Sequence, residues 1–271
     1  MNKMYFEEIN GCVIGKTTDE IINNNLNYGF STRIGGVSIY HLSSLNLGVG
    51  RGDDIDNVKE NYRIFCSAIG IKADSVTVPK QIHSDIIVKV TQKDKGKRIF
   101  RNTDLPDCDG FITTDKNVAL GIFYADCTPV LLYDNIKNVL CVLHCGWRGT
   151  VRGFAETGVI TMINDYGCRP KNIHAVIGPC IGPCHFEVGG EVALEFRRAS
   201  LEKCIKNGEK AEKYYIDLKK ANREYLLFAG IEKDNITVSE ECTVCNTHKY
   251  FSHRGCGENT GRMAMIAQLK K

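Results

Sequence analysis

No run of 18 apolar residues occurs anywhere in the 271-residue chain, and the longest candidate, residues 117–133, is broken by Asp126, which argues against a membrane-spanning helix. Charge of one sign is lacking too: 35 lysines and arginines stand against 32 aspartates and glutamates. A balance so near neutral, evenly scattered, argues against a nucleic-acid-binding face. The opening residues, Met1 to Glu8, lack the basic-then-apolar order of a secretory signal, so the expected location is the cytoplasm. There is one tryptophan and there are only seven histidines, with no His-x-His pair among them, a poor supply of imidazole for a multicopper centre. No repeat, low-complexity tract or Pro/Ser-rich linker divides the chain. The expectation is therefore one domain, 1–271, large enough to bury roughly three-quarters of its surface without a disulfide or metal staple.

Cysteine is what the chain does have. Thirteen of them are too few for a disulfide scaffold, the number is odd, and cytoplasmic thiols stay reduced. Most are expected to be small buried hydrophobes, with a minority free for metal or nucleophilic work.

Short apolar or β-branched runs bounded by turn residues predict strands at 85–91, 119–124, 130–133, 139–144 and 173–178. Helical spacing of Val151, Phe154, Ala155, Val159 and Met162 predicts a helix over 150–166, closed by Gly167 and Pro170, with further helices over 190–198 and 218–229. Several strands in a row joined by short loops favour an α+β fold, with mixed or antiparallel β-sheets flanked by α-helices. The polar stretches 93–107 and 203–213 are expected to be an exposed loop and a solvated helix face or loop.

Candidate chemistry collects at strand ends, where loops present functional groups from a rigid scaffold. Gln81-Ile-His83 precedes a strand; Asp126-Cys127-Thr-Pro129 joins two; His144-Cys-Gly-Trp-Arg148-Gly precedes a helix. Two imidazoles and a thiolate suit zinc, and three protein ligands leave a fourth position for water or substrate. The same residues could instead form a Cys–His nucleophile pair. Spacing alone does not bring Cys127 to His144. Two further groups invite a metal, Cys180, Cys184 and His185 in a Gly/Pro-rich stretch, and Cys242-Thr-Val-Cys245 with His253 and Cys256 downstream. For the first, a loop with buried thiols is the preferred reading; the second lacks the paired spacing of a zinc knuckle.

Eight motifs in order carry a family resemblance: Ser31-Thr-Arg33-Ile-Gly35-Gly36-Val-Ser38, Leu45-Asn46-Leu-Gly48, Gln81-Ile-His83, Ala125-Asp126-Cys127-Thr-Pro129, His144-Cys-Gly-Trp-Arg-Gly149, Gly178-Pro-Cys-Ile-Gly182, Phe251-Ser-His-Arg254 and Thr260-Gly-Arg262-Met-Ala. From about Tyr28 to Leu269 the chain resembles the laccase-domain family, once called multicopper polyphenol oxidases and now read as zinc-dependent purine nucleoside phosphorylases. The resemblance implies metal ligands at His83, Cys127 and His144. It implies phosphorolysis of adenosine, inosine, guanosine and methylthioadenosine, together with adenosine deamination. Copper-dependent phenol oxidation and peptidoglycan-precursor editing are its alternatives.

On motif position, Arg33 and Arg148 are expected on phosphate and Asn46 and Gln81 on the substrate. Asp126 is the candidate proton shuttle, or else the carboxylate that orients a ligand histidine. The soft ligands would accept copper as well as zinc. The expected partners are purine nucleosides and phosphate, with no nucleic acid and no membrane, and a monomer is favoured. Three departures stand out: Tyr62 and Gly255 where the pattern has arginine, and Cys145 where alanine is common. The two lost arginines are expected to weaken phosphate or nucleotide contacts.

Overall fold

The computed structural model describes residues 2–270. Two six-stranded sheets pack face to face. In the first, the order is Met4–Ile9, Cys12–Thr17, Leu26–Ser31, Met263–Leu269, Ala119–Tyr124 and Val76–Thr77, antiparallel except for the last pair. In the second it is Ile236–Val238, Ile173–Ile177, Thr128–Asp134, Val139–Cys145, Gly110–Thr113 and Ile87–Lys89, with parallel pairs only at its two edges. A small sheet of Glu187–Gly189, Lys213–Ile216 and Ile205–Asn207 stands apart from them.

The strands are apolar on both faces because both faces are covered, which is why they appear in sequence as continuous hydrophobic runs. Along Thr128–Asp134 and Val139–Cys145, Leu131, Tyr133, Leu140 and Val142 point into the layer between the sheets, against Phe30, Leu120 and Ile122. Their neighbours Val130, Leu132, Cys141, Leu143 and Cys145 point outward beneath Phe154, Val159, Met162 and Leu226, which belong to the helices Phe154–Tyr166 and Leu218–Phe228. The helix Ile55–Ala68 covers the outer face of the first sheet with Val58, Tyr62 and Phe65. The result is helix, sheet, sheet, helix. This is the α+β arrangement expected, and among the described residues no helix is long and apolar enough to cross a membrane.

Several local expectations change. The helix expected over 150–166 is two, Trp147–Val151 and Phe154–Tyr166, parted at Gly153, whose φ of +74° leaves the helical region. The stretch 93–107 is not wholly exposed. Residues 96–100 tuck inward, with Ile99 buried and Lys97 held between Asp94 and Asp104. The stretch 203–213 contains the edge strand Ile205–Asn207 of the small sheet, and 208–212 is the loop that leads to the strand starting at Lys213. The strands of the N-terminal third and the C-terminal strand lie outside the expected set, although the first hairpin turns on Asn10-Gly11, at φ +51° and +80°, a strong two-residue hairpin signal.

Phe111, fully buried between the sheets, tests that core. Phe111→Ala should lower the unfolding free energy by about 3–5 kcal/mol in chemical denaturation. Phe228→Ala, at a ring 82% exposed, should change it by less than about 0.5 kcal/mol.

Candidate metal centre and cavity

His83, Cys127 and His144 come together although they lie on three separate segments, with their potential ligand atoms all within 4.8 Å of one another. The strands Ala119–Tyr124 and Val139–Cys145 are not neighbours; they belong to different sheets. The chain crosses between the sheets at Asp126-Cys127 and starts the strand Thr128–Asp134. That strand pairs Thr128 with Cys145 and Pro129 with His144. Cys127 is thereby carried to the end of the strand that bears His144.

The third ligand is brought in by a residue that spacing did not single out. Asp109, wholly buried at the start of Gly110–Thr113, receives the backbone N–H groups of Ile82, His83 and Ser84 at 3.1, 3.1 and 2.6 Å. It also accepts from the Ser84 hydroxyl at 2.8 Å and pairs with His144 Nδ1 at 2.7 Å. One carboxylate thus shapes the turn carrying His83 and orients His144. With Nδ1 so engaged, Nε2 is the nitrogen left for a metal, the carboxylate–histidine arrangement of zinc sites. The orienting carboxylate is therefore Asp109 and not Asp126. The only signal for it was an isolated Cys-Asp-Gly before a short strand.

Electrostatics follow the same geometry. Burial alone would raise the Asp109 carboxyl, but the hydrogen bond and charge of His144, with donors from Ser84, hold it down at about 2. Burial opposes ionisation of Cys127, yet His144 and then His83 bring its thiol down to about 6. Burial lowers His144, but the Cys127 charge and the Asp109 hydrogen bond push it up to about 9. The contact thus favours a thiolate beside an imidazolium in the chain alone, and a metal would take the place of the His144 proton on Nε2. His83 Nε2 lies 4.0 Å from Cys127 Sγ, and the two imidazoles meet edge to face at 5.1 Å. Gly146 leaves them room: a Cβ there would stand 2.9 Å from His83 Cδ2 and 3.3 Å from Cys127 Sγ.

The three ligands open onto a cavity of about 510 Å³. Arg51, Arg98, Arg148, Arg254 and Arg262 line it, against Asp126 as the lining carboxylate. Both oxygens of Asp126 are engaged, Oδ1 by the Thr243 and Ser252 hydroxyls at 2.5 and 2.7 Å and Oδ2 by the Arg254 N–H at 2.6 Å. Burial lowers Arg262 to about 10, the neighbouring Arg51 adding to the effect. Arg98 Nε is buried without a hydrogen-bond partner.

The other expected contact residues are placed unevenly. Arg148 is on the wall, its guanidinium stacked on Trp147 at 4.3 Å. Gln81 is also on the wall, but its amide is paired in both directions with the Phe123 backbone, at 2.7 and 3.0 Å. Arg33 is not among the lining residues; it bonds the carbonyls of Ser43 and Thr247 and stacks on Phe251. Asn46 is fully buried and holds the Gly48 and Arg262 amides and the Asp53 carboxylate. Tyr62, at the position expected to hold arginine, is buried under the first sheet and donates to the Leu47 carbonyl. A second group, Cys184, His185, Cys242 and Cys245, forms elsewhere. The companions of the Cys-x-x-Cys are thus Cys184 and His185, not His253 and Cys256.

The fold and the site define a protein that gathers a soft two-imidazole, one-thiolate centre at the foot of an arginine-walled cavity. A family model described as multi-copper polyphenol oxidoreductase laccase matches residues 27–270, and the chain belongs to that family. It is similar to the purine nucleoside phosphorylase YlmD of Bacillus subtilis (strain 168), 33% identical over 251 residues, 92% of this chain and 90% of that protein. It is also similar to the adenosine deaminase RL5 of an unknown prokaryotic organism, 32% identical over 81% of this chain and 85% of that one. Among solved structures, the Bacillus licheniformis hypothetical protein YfiH superposes with a TM-score of 0.91 at 33% identity, covering 98% of this chain and 99% of the other.

Two outcomes follow for the centre. Asp109→Asn should weaken metal affinity about 10–100-fold in chelator competition, because the side chain keeps an acceptor but loses the charge that fixes His144. In metal-stripped protein, alkylation of Cys127, followed by peptide mass spectrometry, should rise with pH through a midpoint near 6, well below the 8.5 or so of a free thiol.

Proposed function

We propose that this chain is a zinc-dependent purine nucleoside phosphorylase that also deaminates adenosine, working as a cytoplasmic monomer on nucleosides and phosphate. The observation that carries the reading is the pairing of the His83–Cys127–His144 group with a cavity whose charged wall is almost wholly arginine. The donor set fits zinc: two nitrogens, one sulfur, a carboxylate fixing the tautomer of one imidazole, and a side open to the cavity. A zinc ion held there supplies Lewis-acid charge and an acidified water.

The chain's own residues account for the rest. Phosphate carries two charges and oxygens that match the arginine fork, which makes Arg51, Arg148 and Arg262 its candidate holders. Arg33 falls away as a phosphate ligand because its guanidinium is spent on loop carbonyls. Phe123, Ile181 and Phe186 supply apolar surface for a purine on the same wall. Asn46 and Gln81 act by holding the backbone that presents Gly48, Arg262 and Phe123. Asp126 acts as a tether for the Arg254 segment, since its two oxygens already accept the Thr243 and Ser252 hydroxyls and the Arg254 N–H.

Two observations on the chain bear on the alternatives. The groups able to hold a metal among the described residues contain three histidines in all, a poor basis for a multicopper phenol oxidase. The lowered Cys127 thiol favours a Cys–His hydrolase as the second reading.

Incubation of the purified protein with adenosine or inosine, with and without phosphate, separates these. Phosphorolysis predicts phosphate-dependent release of free base, reduced about 100-fold or more in Cys127→Ala and His144→Ala and by removal of the metal. Full turnover by metal-stripped protein, lost when Cys127 is alkylated, would overturn the zinc reading in favour of the thiol nucleophile.

A further inference from the structure

Away from the cavity floor, two short segments bring four soft ligands to one point. The turn after Ile181 presents Cys184 and His185, with the His185 and Phe186 N–H groups both bonded to the Gly182 carbonyl at 3.0 Å. The segment Cys242-Thr-Val-Cys245 lies alongside, joined to it by a bridge between Cys180 and Cys242 and by the Thr243 N–H to the Cys180 carbonyl. From His185 Nδ1 the sulfurs of Cys184, Cys245 and Cys242 stand at 3.2, 3.4 and 3.8 Å, and Cys184 Sγ is 3.5 Å from Cys245 Sγ. A tetrahedron with zinc–sulfur and zinc–nitrogen bonds of the usual length has edges of about 3.5–3.8 Å. Four edges of the cluster, at 3.2–3.8 Å, are close to that size, and all its ligand atoms lie within 4.8 Å of one another. No carboxylate belongs to it, so neither the ligand count nor the ligand chemistry is that of an ordinary surface cluster.

The surroundings are those of a ligand site. Cys242 Sγ accepts the Gly182 N–H at 3.2 Å, a donor that favours a thiolate over a thiol. A Cβ on residue 182 would stand 3.1 Å from both Cys184 Sγ and Cys242 Cβ, so glycine leaves the sulfurs room to converge. None of the four residues belongs to the His83–Cys127–His144 group.

We propose that Cys184, His185, Cys242 and Cys245 form a second zinc site of the closed, structural kind, with three thiolates and one imidazole and no position open to substrate. It clips the 180–187 turn to the 242–254 segment. Binding displaces the thiol protons to solvent. Both clipped segments reach the cavity. Ile181 and Phe186 line it, and so does Arg254, which lies over the Phe186 ring and donates to the His185 and Glu187 carbonyls at 3.2 and 3.0 Å. Thr243 and Ser252 meanwhile hold Asp126. The clip thus steadies one wall of the cavity without touching the chemistry, and the proposal stands whatever reaction the cavity performs.

The test is metal content of the full chain, purified under reducing conditions with zinc present and then dialysed. Wild type should hold two equivalents of zinc. The His83→Ala/His144→Ala variant, which leaves the second cluster intact, should keep one. Loaded with cobalt, that variant should show the intense thiolate charge-transfer and tetrahedral ligand-field bands of a sulfur-rich site. Cys245→Ser should lose one equivalent and keep the other. If the His83→Ala/His144→Ala variant carries no zinc and takes up none at micromolar concentration, the proposal fails. It fails equally if intact mass shows the reduced protein short of two hydrogens, with peptides linking Cys184 to Cys245, for the pair would then be a disulfide.

Discussion

The candidate centre depends on one buried carboxylate. Asp109 accepts three consecutive backbone N–H groups and a hydroxyl from residues 82–84, and pairs with the ring of His144. A bare carboxylate at that depth would be costly, and five donors make it tolerable. The same donors hold His83 in a left-handed backbone conformation, φ +60°, which a residue other than glycine adopts only when its surroundings over-determine it. Ligand geometry, histidine tautomer and loop shape are thus consequences of a single charge.

A second carboxylate plays the matching part across the cavity. Asp126 sits at the crossover between the two sheets with φ +88°, and its oxygens gather Thr243, Ser252 and the Arg254 amide. This binds the C-terminal third of the chain to the strand end that carries Cys127. The arginine wall depends on it, because Arg254 and Arg262 come from that third while Arg51, Arg98 and Arg148 come from three other segments. Replacing arginine by Tyr62 and Gly255 therefore does not leave the cavity without positive charge. Arg148, which motif position marks for phosphate, supplies part of it, and Arg51, Arg98, Arg254 and Arg262, which carry no such assignment, supply the rest.

The cysteines divide by environment rather than by spacing. Cys66, Cys141 and Cys145 are fully buried, and their thiols are pushed up by loss of solvent, as expected of small hydrophobes. Cys127 is brought down by two imidazoles. Cys184 and Cys245 are exposed yet face other soft ligands. Cys242 belongs with them because its own strand segment runs beside the 180–185 turn.

Apolar runs and turn residues determined the central strands, the helices over 190–198 and 218–228, and the mixed α+β class, since those patterns report local burial on two faces or one. The three metal-ligand candidates were also legible, because each stands at a strand end within an ordered motif. What only the tertiary structure decided is which distant residues meet. That the chain changes sheets at Asp126-Cys127 is set by strand pairing between 128–134 and 139–145, and no local pattern encodes a pairing partner. For the same reason no local pattern singles out Asp109, the motif positions of Arg33 and Asn46 do not reveal that neither lines the cavity, and the two halves of the three-cysteine, one-histidine cluster, some sixty residues apart, read as unrelated. Hydrogen bonds and metal ligands act through space, and proximity in space is fixed by long-range packing rather than by the neighbours a residue has along the chain.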